Sequence, residues 1–217
     1  MLQFRSFYKR YGAKLILDIP DLYLRTGLYW LQGPNGSGKT TLLRILAGIL
    51  PFDGDVFLQS PNQRNAVSLR QSPTPYRRLI AWADAEPQYP GFLTGYELLD
   101  FYRNILRPET AQVERLIEGF GIGAWLDTRT AAWSSGMTKK LSLLLALLGK
   151  PALILLDEPL TTLDDSGRTV LNEFIKGYQQ DLGTSFLISS HQDIGSAMLP
   201  MTQLLTIVDG SIILKAL

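Results

Sequence analysis

The residues with the clearest chemistry form one continuous stretch, which reads Gly33, Pro34, Asn35, Gly36, Ser37, Gly38, Lys39 and Thr40, with Thr41 next. Its three glycines let the backbone turn successive N–H groups towards an anion, whose approach a side chain would block. Lys39 adds a positive charge for the outer phosphates of a nucleotide, and Thr40 adds a hydroxyl group for Mg²⁺. A helix that begins near Thr40 directs its positive end to the same point. The pattern predicts a phosphate-binding loop.

The flanking residues have the order that such a loop requires. Residues 28–31 are a short apolar and aromatic run typical of a buried strand. Residues 41–50 repeat apolar side chains at helical spacing, and Gly48 and Pro51 mark the end of that helix. The alternative, a glycine-rich turn that binds nothing, does not explain this strand, loop and helix together.

A second apolar run, residues 153–156, ends in two carboxylates, Asp157 and Glu158. A run without alternation is typical of a strand that is covered on both faces of a parallel sheet. The carboxyl end of such a strand lies at the ligand-binding edge of the sheet. We therefore predict that Asp157 joins Thr40 as a ligand of Mg²⁺. Glu158 is predicted to orient or deprotonate a water molecule that attacks the γ-phosphate.

Two further stretches are candidates for phosphate contacts. Residues 134–137, with the sequence Ser-Ser-Gly-Met, open a predicted helix and present small residues to an anion, although by themselves they are merely a good helix cap. His191 is the only histidine and follows a predicted strand at residues 185–189, from which its imidazole can reach a phosphate. A single histidine more often has a structural role.

Composition and charge exclude several classes of function. Lysine and arginine number 21 against 20 aspartates and glutamates, so no basic surplus indicates nucleic acid. The absence of cysteine excludes disulfides, thiolate metal sites and cysteine nucleophiles. Charges scattered through residues 1–10 argue against a secretory signal. The most apolar run, residues 141–148, is far shorter than the roughly 18 residues of a membrane helix. We expect a chain that does not cross a membrane.

The order of the predicted elements indicates an α/β fold with a mostly parallel sheet and antiparallel edge strands. Residues 2–8 and 15–25 are predicted to pair antiparallel at one edge. Asp209 and Gly210 are predicted to turn a hairpin at the other.

Three helical patterns lie between the strand predicted at residues 79–83 and the run at 153–156, and Thr94 is the predicted cap of the first. We predict a single domain of residues 1–217. Its core comprises about 1–84 and 151–217, and a helical lobe of about 85–150 is inserted.

Together these stretches resemble the ATP-binding cassette family of P-loop NTPases over nearly the whole chain. Residues 33–40 are similar to its Walker A loop, and residues 153–157 to its Walker B strand. The resemblance implies that Glu158 is the catalytic glutamate, Asp164 ends the D-loop and His191 is the switch histidine. The nucleotide contacts predicted or implied are Tyr11, Gly33, Pro34, Asn35, Gly36, Ser37, Gly38, Lys39, Thr40, Thr41, Ser134, Ser135, Gly136, Met137 and Asp164.

The chain departs from the family pattern in two places. The family signature is usually Leu-Ser-Gly-Gly-Gln, whereas residues 133–137 read Trp-Ser-Ser-Gly-Met. Where the family has the glutamine of its Q-loop, this chain has Ala85, with Glu86 and Gln88 as candidate substitutes. Tyr11 occupies the position of the family's adenine-stacking aromatic residue, and an ordinary edge-strand tyrosine is the equal alternative.

The resemblance also implies partners. In this family two cassettes pack head to tail, so that each ATP lies between the Walker A loop of one chain and the signature of the other. We expect ATP and Mg²⁺, a second copy of the chain and an integral membrane permease, with no nucleic acid. The chain would then lie at the inner face of the cell membrane. The alternatives are a soluble cassette acting on ribosomes or DNA and a regulatory cassette that hydrolyses ATP weakly.

Overall fold

The computed structural model describes residues 1–61, 63–190 and 203–216. Six strands of the described chain form one sheet, in the order β10-β9-β3-β8-β7-β6. They are β3 (Leu28–Gln32), β6 (Ile80–Ala83), β7 (Leu153–Asp157), β8 (Ser185–Ser189), β9 (Gln203–Val208) and β10 (Ser211–Ala216). All neighbouring pairs are parallel except β9 with β10, which forms the predicted hairpin. The predicted α/β fold is confirmed.

Four strands form a second, antiparallel sheet, in the order β2-β1-β4-β5. They are β1 (Leu2–Tyr11), β2 (Lys14–Leu24), β4 (Asp53–Leu58) and β5 (Val67–Ser68). The β1–β2 pair exists as predicted, but its placement at the edge of the parallel sheet is wrong. The free side of β1 pairs with β4 instead. The buried face of the pair, with Phe4, Phe7 and Leu17, packs in the same cluster as Leu42 and Leu155.

The helices are α1 (Lys39–Leu46), α2 (Pro73–Arg77), α3 (Gly95–Leu106), α4 (Thr110–Phe120), α5 (Ser135–Ala146) and α6 (Asp165–Leu182). Sequence patterns did not predict α2 or β5, because the prolines of residues 59–75 indicated a surface connection. The ring of Tyr76 is nonetheless fully buried and anchors α2.

Three of these helices, α3, α4 and α5, lie between β6 and β7 in the chain, where the sequence predicts three helices. Helix α3 begins in a capping box, in which the Thr94 hydroxyl accepts from the Glu97 N–H at 3.2 Å and Glu97 Oε2 accepts from the Thr94 N–H at 2.8 Å. The division into a core and a lobe of residues 85–150 stays a prediction. No helix within the described ranges has the length and apolar character that a membrane span requires.

The core lies on both faces of the parallel sheet. Ile154 and Leu156 of β7 face a cluster that includes side chains of α3, α4, α5 and α6, whereas Leu153 and Leu155 face a cluster with α1 and the second sheet. All five residues of β7 are buried. Burial on both faces explains the unbroken apolar run in the sequence and carries Asp157 to the carboxyl edge of the sheet beside α1.

Candidate functional site

The predicted phosphate loop connects β3 to α1 and is folded tightly around the Lys39 ammonium. Lys39 is 6% exposed, and its Nζ donates to the carbonyl oxygens of Gly33 at 2.7 Å and Pro34 at 3.3 Å. A Cβ atom on Gly33 would stand 2.6 Å from the Ser37 hydroxyl, and Gly38 has a φ of 106°. The positive φ therefore favours glycine at position 38, and a side chain at position 33 would displace the Ser37 hydroxyl.

The first turn of α1 opens from this loop without a capping side chain. Its N-cap residue is Gly38, and no side chain accepts from the N–H groups that follow. Uncapped N–H groups at a helix N-terminus, with the positive end of the helix dipole, favour an anion. The local structure therefore suits the phosphate group that the sequence predicts.

Asp157 is 1% exposed at the end of β7, and only one of its two carboxylate oxygens accepts a hydrogen bond from the described residues. Its Oδ1 accepts from the Ser189 hydroxyl of the neighbouring strand β8, which the strand register places directly opposite. Its Oδ2 is buried with no hydrogen-bond partner among the described residues. A buried carboxylate oxygen without a donor fits a divalent cation bound between Asp157 and Thr40, which line a common cavity.

Glu158 follows Asp157 in an unusual backbone conformation. Its φ is 45°, in the left-handed region that residues other than glycine seldom adopt. Its N–H donates to both the carbonyl and the hydroxyl oxygen of Ser189, each at 3.2 Å. The turn is thereby fixed, and Glu158 lines the same cavity as Thr40 and Asp157.

The cavity has a volume of about 430 Å³ and contains most of the predicted phosphate-site residues. Its lining residues are Tyr11, Ile16, Asn35, Gly36, Gly38, Lys39, Thr40, Thr41, Asp157 and Glu158. Tyr11 is half exposed, and the Lys9 ammonium lies 4.7 Å from the centre of its ring. Ile16 was not predicted, because only the pairing of β2 with β1 brings it there. His191 lies outside the described residues.

The signature residues form a separate cluster. The Ser134 hydroxyl caps α5 by accepting from the Met137 N–H at 3.2 Å. Gly136 lies so close to the loop before α6 that a Cβ atom on it would stand 3.1 Å from the Thr162 carbonyl oxygen. Among the described residues, none of 134–137 lines the 430 Å³ cavity. The structure thus places the signature away from the phosphate loop of the same chain.

Asp164 belongs to this second cluster. It caps α6 by accepting from the Gly167 N–H at 3.0 Å, and its other oxygen accepts from Lys140 Nζ at 3.1 Å. The Gly167 N–H and the Lys140 ammonium hold the pKa of Asp164 below its usual value. The segment predicted as the D-loop and the start of α5 are therefore joined by an ion pair within one chain.

A larger cavity of about 570 Å³ lies on the other side of Thr40 and Asp157, beside the segment where the family's Q-loop glutamine is expected. Ala85, Glu86 and Gln88 all line it. Both candidate substitutes therefore face the same cavity as the two predicted metal ligands.

One residue that the sequence did not indicate is central to this region. Lys139 is 1% exposed, and its Nζ donates to the carbonyl oxygens of Asp84 at 2.9 Å, Ala85 at 3.1 Å and Asp157 at 3.1 Å. Burial lowers its pKa to about 8, against the opposing effect of the nearby carboxylates. Burial likewise lowers the pKa of Lys39.

A family model described as ABC transporter matches residues 21–161, a range that contains the phosphate loop, the signature, Asp157 and Glu158. The chain belongs to the ABC transporter family. The family resemblance predicted from the sequence is confirmed.

Two curated ABC relatives illustrate the extent of the match. The chain is 29% identical over 197 residues to an uncharacterised ABC transporter ATP-binding protein of Bacillus subtilis (strain 168), covering 88% of this chain and 61% of the relative. It is 31% identical over 212 residues to an aliphatic sulfonates import ATP-binding protein of Paracoccus denitrificans (strain Pd 1222), covering 96% of this chain and 78% of that one. The chain thus spans about three fifths of the first relative.

A solved ABC structure shares the fold. It is a dimeric ATP-binding cassette in a post-hydrolysis state bound to ADP and Pi, with a TM-score of 0.81 and 20% identity. The match covers 100% of this chain and 98% of that one. At this identity the likeness establishes the ABC ATPase fold and nothing finer.

Proposed function

We propose that the chain is the ATP-binding and ATP-hydrolysing subunit of an ABC membrane transporter. It would couple closure of a cassette dimer and ATP hydrolysis to transport through a separate permease. The observation that carries the proposal is the convergence of Lys39, Thr40, Asp157 and Glu158 on one cavity, in a chain that belongs to this family.

Each of these side chains has a distinct task in the proposal. The N–H groups of residues 33–41 and the Lys39 ammonium bind the phosphates. Thr40 and Asp157 would hold Mg²⁺, and the buried Oδ2 of Asp157 supports that role. When bound, Mg²⁺ neutralises charge on the phosphate oxygens. Tyr11, at the edge of the cavity, would stack on the adenine ring.

Glu158 is the proposed general base. It lies next to Asp157 in a backbone turn that Ser189 fixes, so its main chain is in place before substrate binds. From there it would orient a water molecule towards the γ-phosphate and accept its proton. His191, following β8, is proposed to contact the same phosphate.

The separate position of residues 134–137 and Asp164 supports a head-to-tail dimer. A signature that does not line the cavity of its own chain is free to close over the nucleotide of a partner. We propose a dimer of two copies, docked to an integral membrane permease and therefore located at the inner face of the cell membrane.

Phosphate release by the purified chain tests the enzymatic part of this proposal. We expect release that requires ATP and Mg²⁺ and is abolished by EDTA. Tight ATP binding without release would contradict hydrolysis and favour the weakly hydrolysing regulatory cassette.

Co-purification tests the transport part. An affinity-tagged chain isolated from detergent-solubilised membranes should retain an integral membrane protein in stoichiometric amount. Retention of ribosomes in its place would contradict the transporter assignment.

A further inference from the structure

The Lys139 side chain joins three parts of the chain that meet below the predicted metal ligands. A lysine ammonium has three N–H donors, and here each has a carbonyl acceptor: two, Asp84 and Ala85, immediately after β6, and one, Asp157, at the end of β7. Lys139 itself belongs to α5, four residues after the helix starts. One buried cation thus fixes the ends of two parallel strands to α5, the helix that begins within the predicted signature.

Packing alone does not account for a lysine at this position. Burying an ammonium group costs free energy, and an apolar side chain of similar volume often stabilises a protein equally well. The neighbouring residues 141–146 of α5 are buried leucines, an alanine and one serine. Three well-placed acceptors instead give the position a geometric role, because each fixes the direction of a main-chain segment.

The connection continues to the phosphate-loop helix. The Asp84 carboxylate accepts from Arg44 Nη2 at 3.2 Å, while the Asp84 carbonyl accepts from Lys139. Arg44 lies one helical turn after Thr40 on α1. A continuous chain of polar contacts therefore runs from α1 through Asp84 and Lys139 to the main chain of Asp157.

We propose that Lys139 is a positioning residue for the metal-binding part of the site. It holds the main chain of Asp157 in place, and through Asp84 and Arg44 it also holds α1, the helix that carries Thr40. The two predicted ligands are thereby kept at the separation that a shared Mg²⁺ requires. The inference rests on the proposed function. Within the described part of the chain, the hydrogen bonds of Lys139 Nζ go to main-chain carbonyls and not to the phosphate loop or to the side chains of the predicted metal ligands, so it acts through the backbone.

Charge and positioning predict opposite results when Lys139 is replaced. As a mere charge, Lys139 repels Mg²⁺, and its loss would strengthen metal binding. As a positioning residue, it keeps Asp157 in place, and its loss would weaken metal binding. Lys139→Met removes charge and donors at similar length, whereas Lys139→Arg keeps both. Lys150→Met is the matched control, because the Lys150 ammonium is exposed and pairs with Glu109 away from the site.

The experiment measures ADP affinity by calorimetry, first in EDTA and then along a Mg²⁺ titration. In Lys139→Met the half-saturating Mg²⁺ concentration should rise roughly 10- to 100-fold, the usual effect of removing a group that supports metal ligands. ADP affinity in EDTA should stay within about threefold, because the phosphate loop is untouched. Lys139→Arg should recover most of the loss, and Lys150→Met should match the wild type.

An unchanged or lowered half-saturating concentration in Lys139→Met would overturn the inference. If circular dichroism shows that this variant does not fold, Lys139→Gln is measured in its place. Its neutral amide keeps two donors, so the half-saturating Mg²⁺ concentration should rise by an intermediate amount. No rise in Lys139→Gln would also overturn the inference. A wild type that binds ADP and Mg²⁺ but releases no phosphate from ATP would refute the proposed hydrolysis alone. A wild type that binds no ADP would refute both.

Discussion

Lys39 and Asp157 are two buried charged residues whose surroundings suit a bound ligand. Lys39 is buried with its ammonium against two loop carbonyls, and Asp157 has one oxygen fixed by Ser189 while the other has no donor among the described residues. Both groups are desolvated in advance, so the interactions proposed for them with phosphate and metal would be stronger than those of exposed groups.

Replacing Lys39 should therefore weaken nucleotide binding itself. Lys39→Met removes a charge-assisted contact to the phosphates, worth about 1.5 to 3 kcal/mol, and should raise the Kd for ATP by roughly 10- to 100-fold. Fluorescence titration with an ATP analogue measures the Kd. Lys176→Met, on the exposed side of α6, is the control for a lost lysine charge. Equal affinity in the two variants would exclude Lys39 from phosphate binding.

Some residues of the site could be predicted from sequence and others could not. The phosphate loop, Asp157 and Glu158 are readable because each lies within a local pattern that fixes its own surroundings. Ser189 and Lys139 are not readable, since their partners belong to distant segments that only the completed sheet brings together. The one available signal for Lys139 is the apolar run at residues 141–148, which favours burial of the second half of this helix on more than one face. One of the two consecutive lysines before that run is then expected to face inwards.

At the scale of elements, helix ends position the functional residues. Helix α1 starts at the phosphate loop without a side-chain cap, whereas α3, α5 and α6 start with capping side chains from Thr94, Ser134 and Asp164. Side-chain caps satisfy N–H groups at the start of three helices. Helices α2 and α4 also start without a side-chain cap, but α1 is the one that begins at the phosphate loop, where its N–H groups would bind a ligand.

Thr94→Ala should destabilise the fold without affecting nucleotide affinity. The substitution removes both hydrogen bonds of the Thr94 hydroxyl, one to Glu97 Oε2 and one from the Glu97 N–H, and should lower the free energy of unfolding by about 1 kcal/mol. Urea denaturation measures the change. Thr26→Ala, in an exposed turn, should change it by less than about 0.5 kcal/mol. A Thr94→Ala variant as stable as Thr26→Ala would show that the box contributes nothing to stability.

The wrong placement of β1 and β2 also belongs to this scale. Their alternating apolar pattern and the turn between them predict an antiparallel pair, which the structure contains. The pattern does not specify which strand occupies the second edge of β1. That choice depends on β4 and on the burial of Phe4 and Phe7 in the cluster that also contains residues of α1, which lie well beyond β1 in the chain.

At the scale of the whole molecule, the two clusters of site residues do not meet within one chain. The phosphate loop, Asp157 and Glu158 share a cavity, while Ser134, Gly136 and Asp164 lie together elsewhere. The proposed head-to-tail dimer would unite them, and each of its two sites would then take catalytic residues from one copy and a signature from the other.

Two variants make this arrangement testable. Glu158→Gln removes the proposed base, which typically contributes about 10² to 10⁴ fold to the rate, and should leave ATP bound. Ser135→Glu places a carboxylate at the exposed first residue of α5, where it suits the helix but repels the phosphates of a partner's ATP. Each variant alone should hydrolyse ATP far more slowly than the wild type.

Mixing the two variants is the most direct test of a site shared between chains. In a mixed dimer, the intact phosphate site of the Ser135→Glu copy faces the intact signature of the Glu158→Gln copy. Half of the dimers in an equal mixture are mixed and have one intact site of two, so phosphate release should recover to roughly a quarter of the wild-type rate. Each variant measured alone, at the same total protein concentration, is the control. Recovery of this size supports the account, whereas a mixture no more active than the two variants measured separately would contradict it.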